Sequence, residues 1–130
     1  MNLKNDQNGK IKFDLEKRTL KFSSGIIDFT RQIRENNINN PIINQLIRAA
    51  TSVGANYCEA NNAQSKKDFA HKIAICKKEA RESEYWLTLT QKIAPELSEK
   101  NDTLKKEARE LTFIFAKIII SCRKSNIQKL

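Results

Sequence analysis

One histidine, three glycines and two prolines in 130 residues close off several classes of protein at once. A β-sandwich needs a turn about every 8–12 residues, and this chain lacks the Gly and Pro to make them. A single histidine, His71, excludes a His-based metal cluster within one chain. Cys58, Cys76 and Cys122 are odd in number and show neither CxxC nor Cys/His ligand spacing. They read as small core residues of a protein kept in a reducing cytosol. The most apolar run, Leu111 to Cys122, is too short to cross a bilayer and is broken by Lys117. Residues 1–12 are polar and lack the apolar stretch of a secretory signal. The expectation is a cytoplasmic protein with no membrane association.

Catalytic signatures are also missing. There is no G-x-S-x-G, P-loop or Rossmann fingerprint. His71 lies five residues before Cys76, which puts the two on different faces of a helix. Glu79 and Glu82 are explained more simply as salt-bridge partners than as an acid–base pair. The chain is therefore expected to be no enzyme and to need no metal or cofactor.

What the chain has is positive charge. There are 24 Lys+Arg against 15 Asp+Glu, a net charge of +9. Such an excess favours polyanionic partners, because cations that neutralise phosphates release condensed counterions. A lysine-rich solvated surface gives the same composition, so charge alone leaves both readings open.

Hydrophobic periodicity predicts an all-α protein. Residues 1–13 read as a flexible N-terminal arm. A first helix runs from an Asp14 cap to about Asn36, with Leu15, Phe22, Ile26, Phe29 and Ile33 on one stripe. Gly25 within it suggests the close approach of a neighbouring backbone. An asparagine-rich loop leads to Pro41, which suits the first turn of a second helix. Ile42, Leu46, Ala49 and Val53 form that helix's apolar stripe, and Ala50, Gly54 and Ala55 keep its surface low for close packing. Ser65 and Asp68 resemble a shortened capping box at the start of a third helix. Its main stripe is Phe69, Ile73, Cys76, Ala80, Ser83 and Leu87, and Pro95 ends or bends it. Asn101 or Asp102 is expected to cap a fourth helix, with Leu104, Ala108, Leu111, Phe115, Ile118 and Cys122 inward and a basic tail over 125–130. Short connections favour antiparallel neighbours, hence an up-down-up-down four-helix bundle over 14–124.

Some apolar surface exceeds what one bundle core requires. Ile75, Trp86 and Ile93 lie about 100° from the main stripe of the third helix. Phe113, Ile114, Ile119 and Ile120 make the later part of the fourth apolar nearly all round. Ile75, Trp86, Ile93, Phe113 and Ile114 are the expected contacts between subunits.

Two polar arrangements are candidates for function. Gln45, Arg48, Ser52, Asn56 and Glu59 share one sector of the second helix. They can recognise a ligand or stitch two helices together, and Arg48 is a natural partner for Glu79 or Glu82. The third helix carries Lys67, Lys77, Lys78, Arg81 and Lys92 in one broad sector with Tyr85. Cations there suit phosphates, and the ring suits an exposed base. An ordinary solvated face reads the same way. Lys66, Arg123, Lys124 and Lys129 extend the sector only if the fold brings them together.

The segment QLIRAATSVGANYCEA, residues 45–60, resembles the pattern QxxRAxxSxxANxxE of the four-helix bundle proteins of 23S rRNA intervening sequences. The continuation SKKDFAHKIAICKKEARESEYWL is similar to that family's third helix, with its KEAxExxYWL-type ending. The resemblance covers residues 14 to about 124. Val53-Gly54 stands where family members commonly have Ile-Pro, which implies a straighter or looser second helix. Tyr57-Cys58-Glu59-Ala60 replaces Ile-Ala-Glu-Gly and changes the usual helix stop. The resemblance implies an up-down bundle assembled as a homopentamer. It also implies kinship with the accessory variability determinant of diversity-generating retroelements, a basic pentamer that binds nucleic acid and a reverse transcriptase. Gln45, Arg48, Ser52, Asn56 and Glu59 match the signature, and their role in the family is chiefly architectural. The implied partners are nucleic acid (RNA or DNA), further copies of the chain and, as the alternative, a reverse transcriptase.

Overall fold

The computed structural model describes the backbone of residues 7–128 and the side chains of residues 15–124. Four helices account for nearly all of it: α1 (Gln7–Thr30), α2 (Asn39–Asn61), α3 (Lys66–Ile93) and α4 (Ser98–Gln128). A single 3-10 turn, Pro95–Leu97, joins the last two.

Each boundary has a local cause. The Asn36 side chain closes the α1–α2 loop, its Oδ1 accepting from the backbone N–H of Ile38 (3.0 Å) and Asn39 (2.7 Å). This satisfies two of the donors that a helix start leaves open. Asn39 is buried and donates its amide to the Arg34 carbonyl at 2.8 Å. Pro41 sits in the first turn, where its missing N–H costs nothing. Ser65 caps α3, its hydroxyl accepting from the Asp68 N–H at 3.0 Å. Pro95 stops α3, because its ring has no N–H to continue the ladder.

Four boundaries differ from the sequence reading, among them the end of α1, which stops at Thr30 instead of about Asn36 as Gln32 and Ile33 bond back only three residues. α1 begins at Gln7, so residues 7–13 of the expected arm are helical and Asp14 is an internal residue rather than a cap. Residues 1–6 lie outside the described part. Once Leu15 and its stripe fix a helix, each further residue extends it at little cost, and no proline intervenes. α4 begins at Ser98, because the 3-10 turn feeds straight into it. Asn101 is consequently no cap: it is fully buried one turn in, and its amide donates to the Leu87 carbonyl of α3 at 2.8 Å. The helix runs on to Gln128, so most of the expected tail is helical, with 129–130 outside the described residues.

Cross-helix bonds fix the topology. Ser23 bonds to Ala50 and Glu16 to Asn61 between α1 and α2. Arg48 meets Glu79 and Glu59 meets Lys72 between α2 and α3. Glu84 meets Arg109 and Gln91 meets Lys105 between α3 and α4. Arg18 meets Glu107 and Gln32 meets Lys100 between α1 and α4. In every pair residue numbers rise on one helix as they fall on the other, so all four neighbours are antiparallel. Among the described residues the backbones of the diagonal pairs α1/α3 and α2/α4 stay apart, as in a bundle of square section.

The core follows the expected stripes, except that Phe69, Leu104, Ile118 and Cys122 are only half-buried and Cys58, expected inside, is exposed. Leu15, Phe22, Ile26 and Phe29 of α1 and Ile33 just past its end are buried, as are Leu46, Ala49, Val53, Ile73, Cys76, Ala80, Ser83, Leu87, Ala108, Leu111 and Phe115. Each large apolar side chain so enclosed stabilises the fold by about 1.5–3 kcal/mol. On α2, Ile43 is buried and Ile42 only half-buried. Tyr57 is also buried, its ring centroid 6.1 Å from that of Phe115. Gly54, not Gly25, is the point of close approach. A β-carbon there would stand 3.3 Å from the Thr19 hydroxyl, whereas at Gly25 it would meet only the tip of Leu104 at 3.4 Å.

Candidate nucleic-acid interface

The polar row of α2 is largely spent inside the protein. Arg48 is its hub. The guanidinium donates to Gln45 Oε1 at 2.8 Å and to Glu79 Oε2 at 3.0 Å, and also pairs with Glu82. Glu79 is buried although charged, which only a close cation makes tolerable. Glu82 Oε2 also accepts the Trp86 indole N–H at 2.8 Å. Ser52 donates to the Arg48 carbonyl (2.7 Å) and Asn56 to the Ser52 carbonyl (2.8 Å). Glu59 accepts from Lys72 at 3.1 Å. The row therefore stitches α2 to α3 and to itself.

This stitching shapes the outer face of α3. Glu79, Glu82 and Glu84 are engaged by Arg48 of α2 and Arg109 of α4. Lys67, Lys78, Arg81 and Lys92 stand exposed, Lys77 is half-exposed, and Tyr85 is exposed among them. Among the described residues none of these five cations is in an ion pair. At 1.5 Å per residue the strip from Lys67 to Lys92 is about 37 Å long. It is a ridge of charge rather than a pocket, with Lys78, Arg81 and Tyr85 on adjacent turns at its middle. The antiparallel register of α3 and α4 brings Arg123 and Lys124, both exposed, to the same end of the molecule as Lys66 and Lys67. Lys129 lies outside the described residues.

Of the expected subunit contacts, Trp86, Ile93 and Ile114 are half-buried against the protomer's own core, and Ile75 is half-buried. Phe113 is the open one, joined by Ile120 on α4 and by Leu20, Ile27 and Ile38, which periodicity did not single out. Their exposure depends on which helix faces which, and stripe counting does not supply that.

The α1–α4 seam was not foreseen. Arg18 forks onto Glu107 at 2.7 and 2.8 Å and reaches Glu110 at 3.3 Å. The bond to Glu107 outweighs desolvation and holds the Arg18 guanidinium above its ordinary pKa. Beneath the fork the two helices part into a groove of about 1350 Å³. Leu15, Phe22, Leu104, Ile114 and Ile118 line it, with lysines along both rims.

Two groups are chemically silenced by burial. Desolvation pushes the Cys76 thiol up to about 12, and its Sγ lies 3.5 Å from the Val53 carbonyl, to which it donates. Desolvation likewise pushes the Tyr57 phenol up to about 12. No three His, Cys, Asp or Glu side chains converge among the described residues. Nor is any helix among them long and apolar enough to cross a membrane.

Comparison with known proteins places this geometry. A comparison with curated proteins returns no match. The chain is similar to a crystal structure of a protein of unknown function from the S23 ribosomal protein family of Bacteroides thetaiotaomicron. The two are 30% identical with a TM-score of 0.71, over 81% of this chain and 97% of that one. The model of the family described as 23S rRNA-intervening sequence protein matches residues 12–117, which span the Arg48 network and the cationic ridge alike. The chain belongs to the 23S rRNA-intervening sequence protein family.

Proposed function

We propose that this chain is a non-catalytic basic bundle that assembles with copies of itself, as a homopentamer, and binds nucleic acid, with structured or ribosomal RNA as its ligand. The observation that carries the reading is the outer strip of α3. Its own glutamates are drawn sideways into arginines of α2 and α4, so a ridge of unpaired cations faces outward. A phosphate backbone laid along it displaces counterions and gains affinity without any pocket. The family's description refers to 23S rRNA, which favours RNA over DNA and the cytoplasm as the place. Self-association is supported by Leu20 and Ile27 of α1 and Ile120 of α4, apolar surface that a lone protomer leaves in water.

Filter binding of a structured ribosomal RNA fragment and of duplex DNA, between about 50 and 200 mM salt, tests the ligand. Affinity falls steeply with salt if phosphate contacts dominate. An absence of binding even at the low end removes the reading. Light scattering on the same samples gives the mass, and a monomer removes the assembly.

A second reading, a scaffold for a protein partner such as a retroelement reverse transcriptase, is favoured by the α1–α4 groove. Its apolar floor is large enough for side chains of another protein. A neighbouring reverse transcriptase gene with template repeats supports this reading. A gene lying inside a ribosomal RNA locus supports the first.

A further inference from the structure

Tyr85 and Phe113 are the two aromatic side chains among the exposed large apolar residues of the described chain, at 57% and 69% exposure; the others are leucine and isoleucine. They sit on different helices, yet both line one groove of about 480 Å³ where α3 meets α4. Arg81 and Thr88 flank Tyr85 in it, and Arg109 and Thr112 flank Phe113. Its one acid, Glu84, is engaged by Arg109, which leaves the charge of Arg81 unopposed. Lys77 and Lys78 follow one turn away on α3.

We propose that this groove is a stacking site for unpaired bases of a single-stranded nucleic acid, whose backbone runs along the α3 cations. The proposal rests on the nucleic-acid reading above and names the kind of strand that reading leaves open. An exposed ring offers its π-face to any base, and a neighbouring guanidinium adds stacking and charge. A duplex keeps its bases stacked on one another and offers such rings nothing to stack on. Charge decides against a basic or neutral occupant, since the groove opens onto a line of cations.

Tyr85 is held in advance. Its ring stands edge-on to Trp86, with centroids 5.0 Å apart and planes at 80°. The Trp86 indole N–H is fixed by Glu82, and Glu82 by Arg48. A chain of contacts starting on α2 therefore orients the ring before a ligand arrives, which lowers the ordering cost of binding. The signature arginine acts here as a positioning residue, one helix away from the surface it serves.

Fluorescence anisotropy with labelled oligouridylate and an RNA duplex of equal length, on the full chain, tests the proposal. The variants are Tyr85→Ala, Tyr85→Phe, Phe113→Ala and Lys78→Ala, with light scattering in parallel. Tyr85→Ala and Phe113→Ala are expected to weaken single-strand binding about 5- to 100-fold and leave duplex binding little changed. Tyr85→Phe keeps the ring and keeps the affinity. Lys78→Ala weakens both ligands alike. Because both rings are exposed, their truncation leaves the fold standing, and a thermal melt verifies it. Single-strand binding undiminished in both alanine variants overturns the proposal while the wild type still binds. A fall in assembled mass for Phe113→Ala assigns that ring to a contact between copies and also overturns it. A wild type that binds neither ligand takes away the broader nucleic-acid reading as well, and is thereby distinguishable.

Discussion

Replacing Arg48 by alanine strands a carboxylate. The Glu79 side chain is 7% exposed, and Arg48 is the cation that bonds to it. Breaking a fully buried ion pair from one side costs about 3–5 kcal/mol, because the remaining charge is left desolvated. Arg48 itself is 46% exposed, so water reaches its side of the pair and screens part of the interaction. An intermediate figure of about 2 kcal/mol results. A domain of this length loses about 3–5 °C of Tm per kcal/mol, so Arg48→Ala should melt about 6–10 °C lower. The melt is followed by circular dichroism at fixed protein concentration, since assembly shifts Tm by mass action. The informative control is the double variant Arg48→Ala/Glu79→Gln. Removing both charges leaves no stranded ion, so most of the loss should be recovered. An unchanged Tm in Arg48→Ala refutes the reasoning. So does a double variant no more stable than the single one, because the damage would then come from lost packing rather than a bared charge.

Further outcomes follow from the core. Gly25→Ala should raise Tm, gaining up to about 1 kcal/mol of helix propensity against only the flexible tip of Leu104. Gly54→Ala should not, because Thr19 is buried with its hydroxyl on the Leu15 carbonyl at 2.7 Å and cannot retreat; equal Tm gains for both variants contradict this packing. Cys76 and Tyr57 make the fold sensitive to alkali. Their ordinary values are 9.0 and 10.0, and both are pushed to about 12 in the fold by burial. The unfolded chain thus releases these protons first, so stability is intact below about pH 9 and declines from there toward pH 12. A denaturant midpoint flat from neutrality to pH 11 disagrees with that burial. In a maleimide time course at pH 8, exposed Cys58 should label within the native protein and Cys76 only after denaturation; early labelling of Cys76 contradicts its burial.

The α1 stripe from Leu15 to Phe29 and the α3 stripe from Ile73 to Leu87 were legible because amphipathic periodicity reports directly on which face is buried. The Arg48–Glu79–Glu82 network was nearly legible too. Opposite charges on facing stripes have few other partners, although nothing in the sequence says that one arginine serves both acids or that Trp86 joins them. Ends of helices were less readable. The start at Gln7 depends on extension from a packed segment, and Asn101 reads as a cap by residue type but sits one turn inside because Pro95–Leu97 nucleates α4 earlier. Gly25 and Gly54 are indistinguishable by composition, and only the crossing of α1 over α2 near Thr19 makes one of them indispensable. The groove shared by Tyr85 and Phe113 was invisible for the same reason. It depends on the register between two helices, and no single helix encodes that register.

The cationic ridge itself is tested most directly by its salt dependence. Lys67, Lys78, Arg81 and Lys92 are replaced together by alanine, and RNA affinity is measured against salt beside the wild type. A charge-matched variant lacking Lys17, Lys21, Lys106 and Lys117 on the α1–α4 side is the control. If the ridge carries the phosphates, each lost contact lowers the slope of log K against log salt by about 0.7–0.9, and the control keeps the wild-type slope. Equal slopes in the wild type and the ridge variant, or a slope lost only in the control, contradict the account.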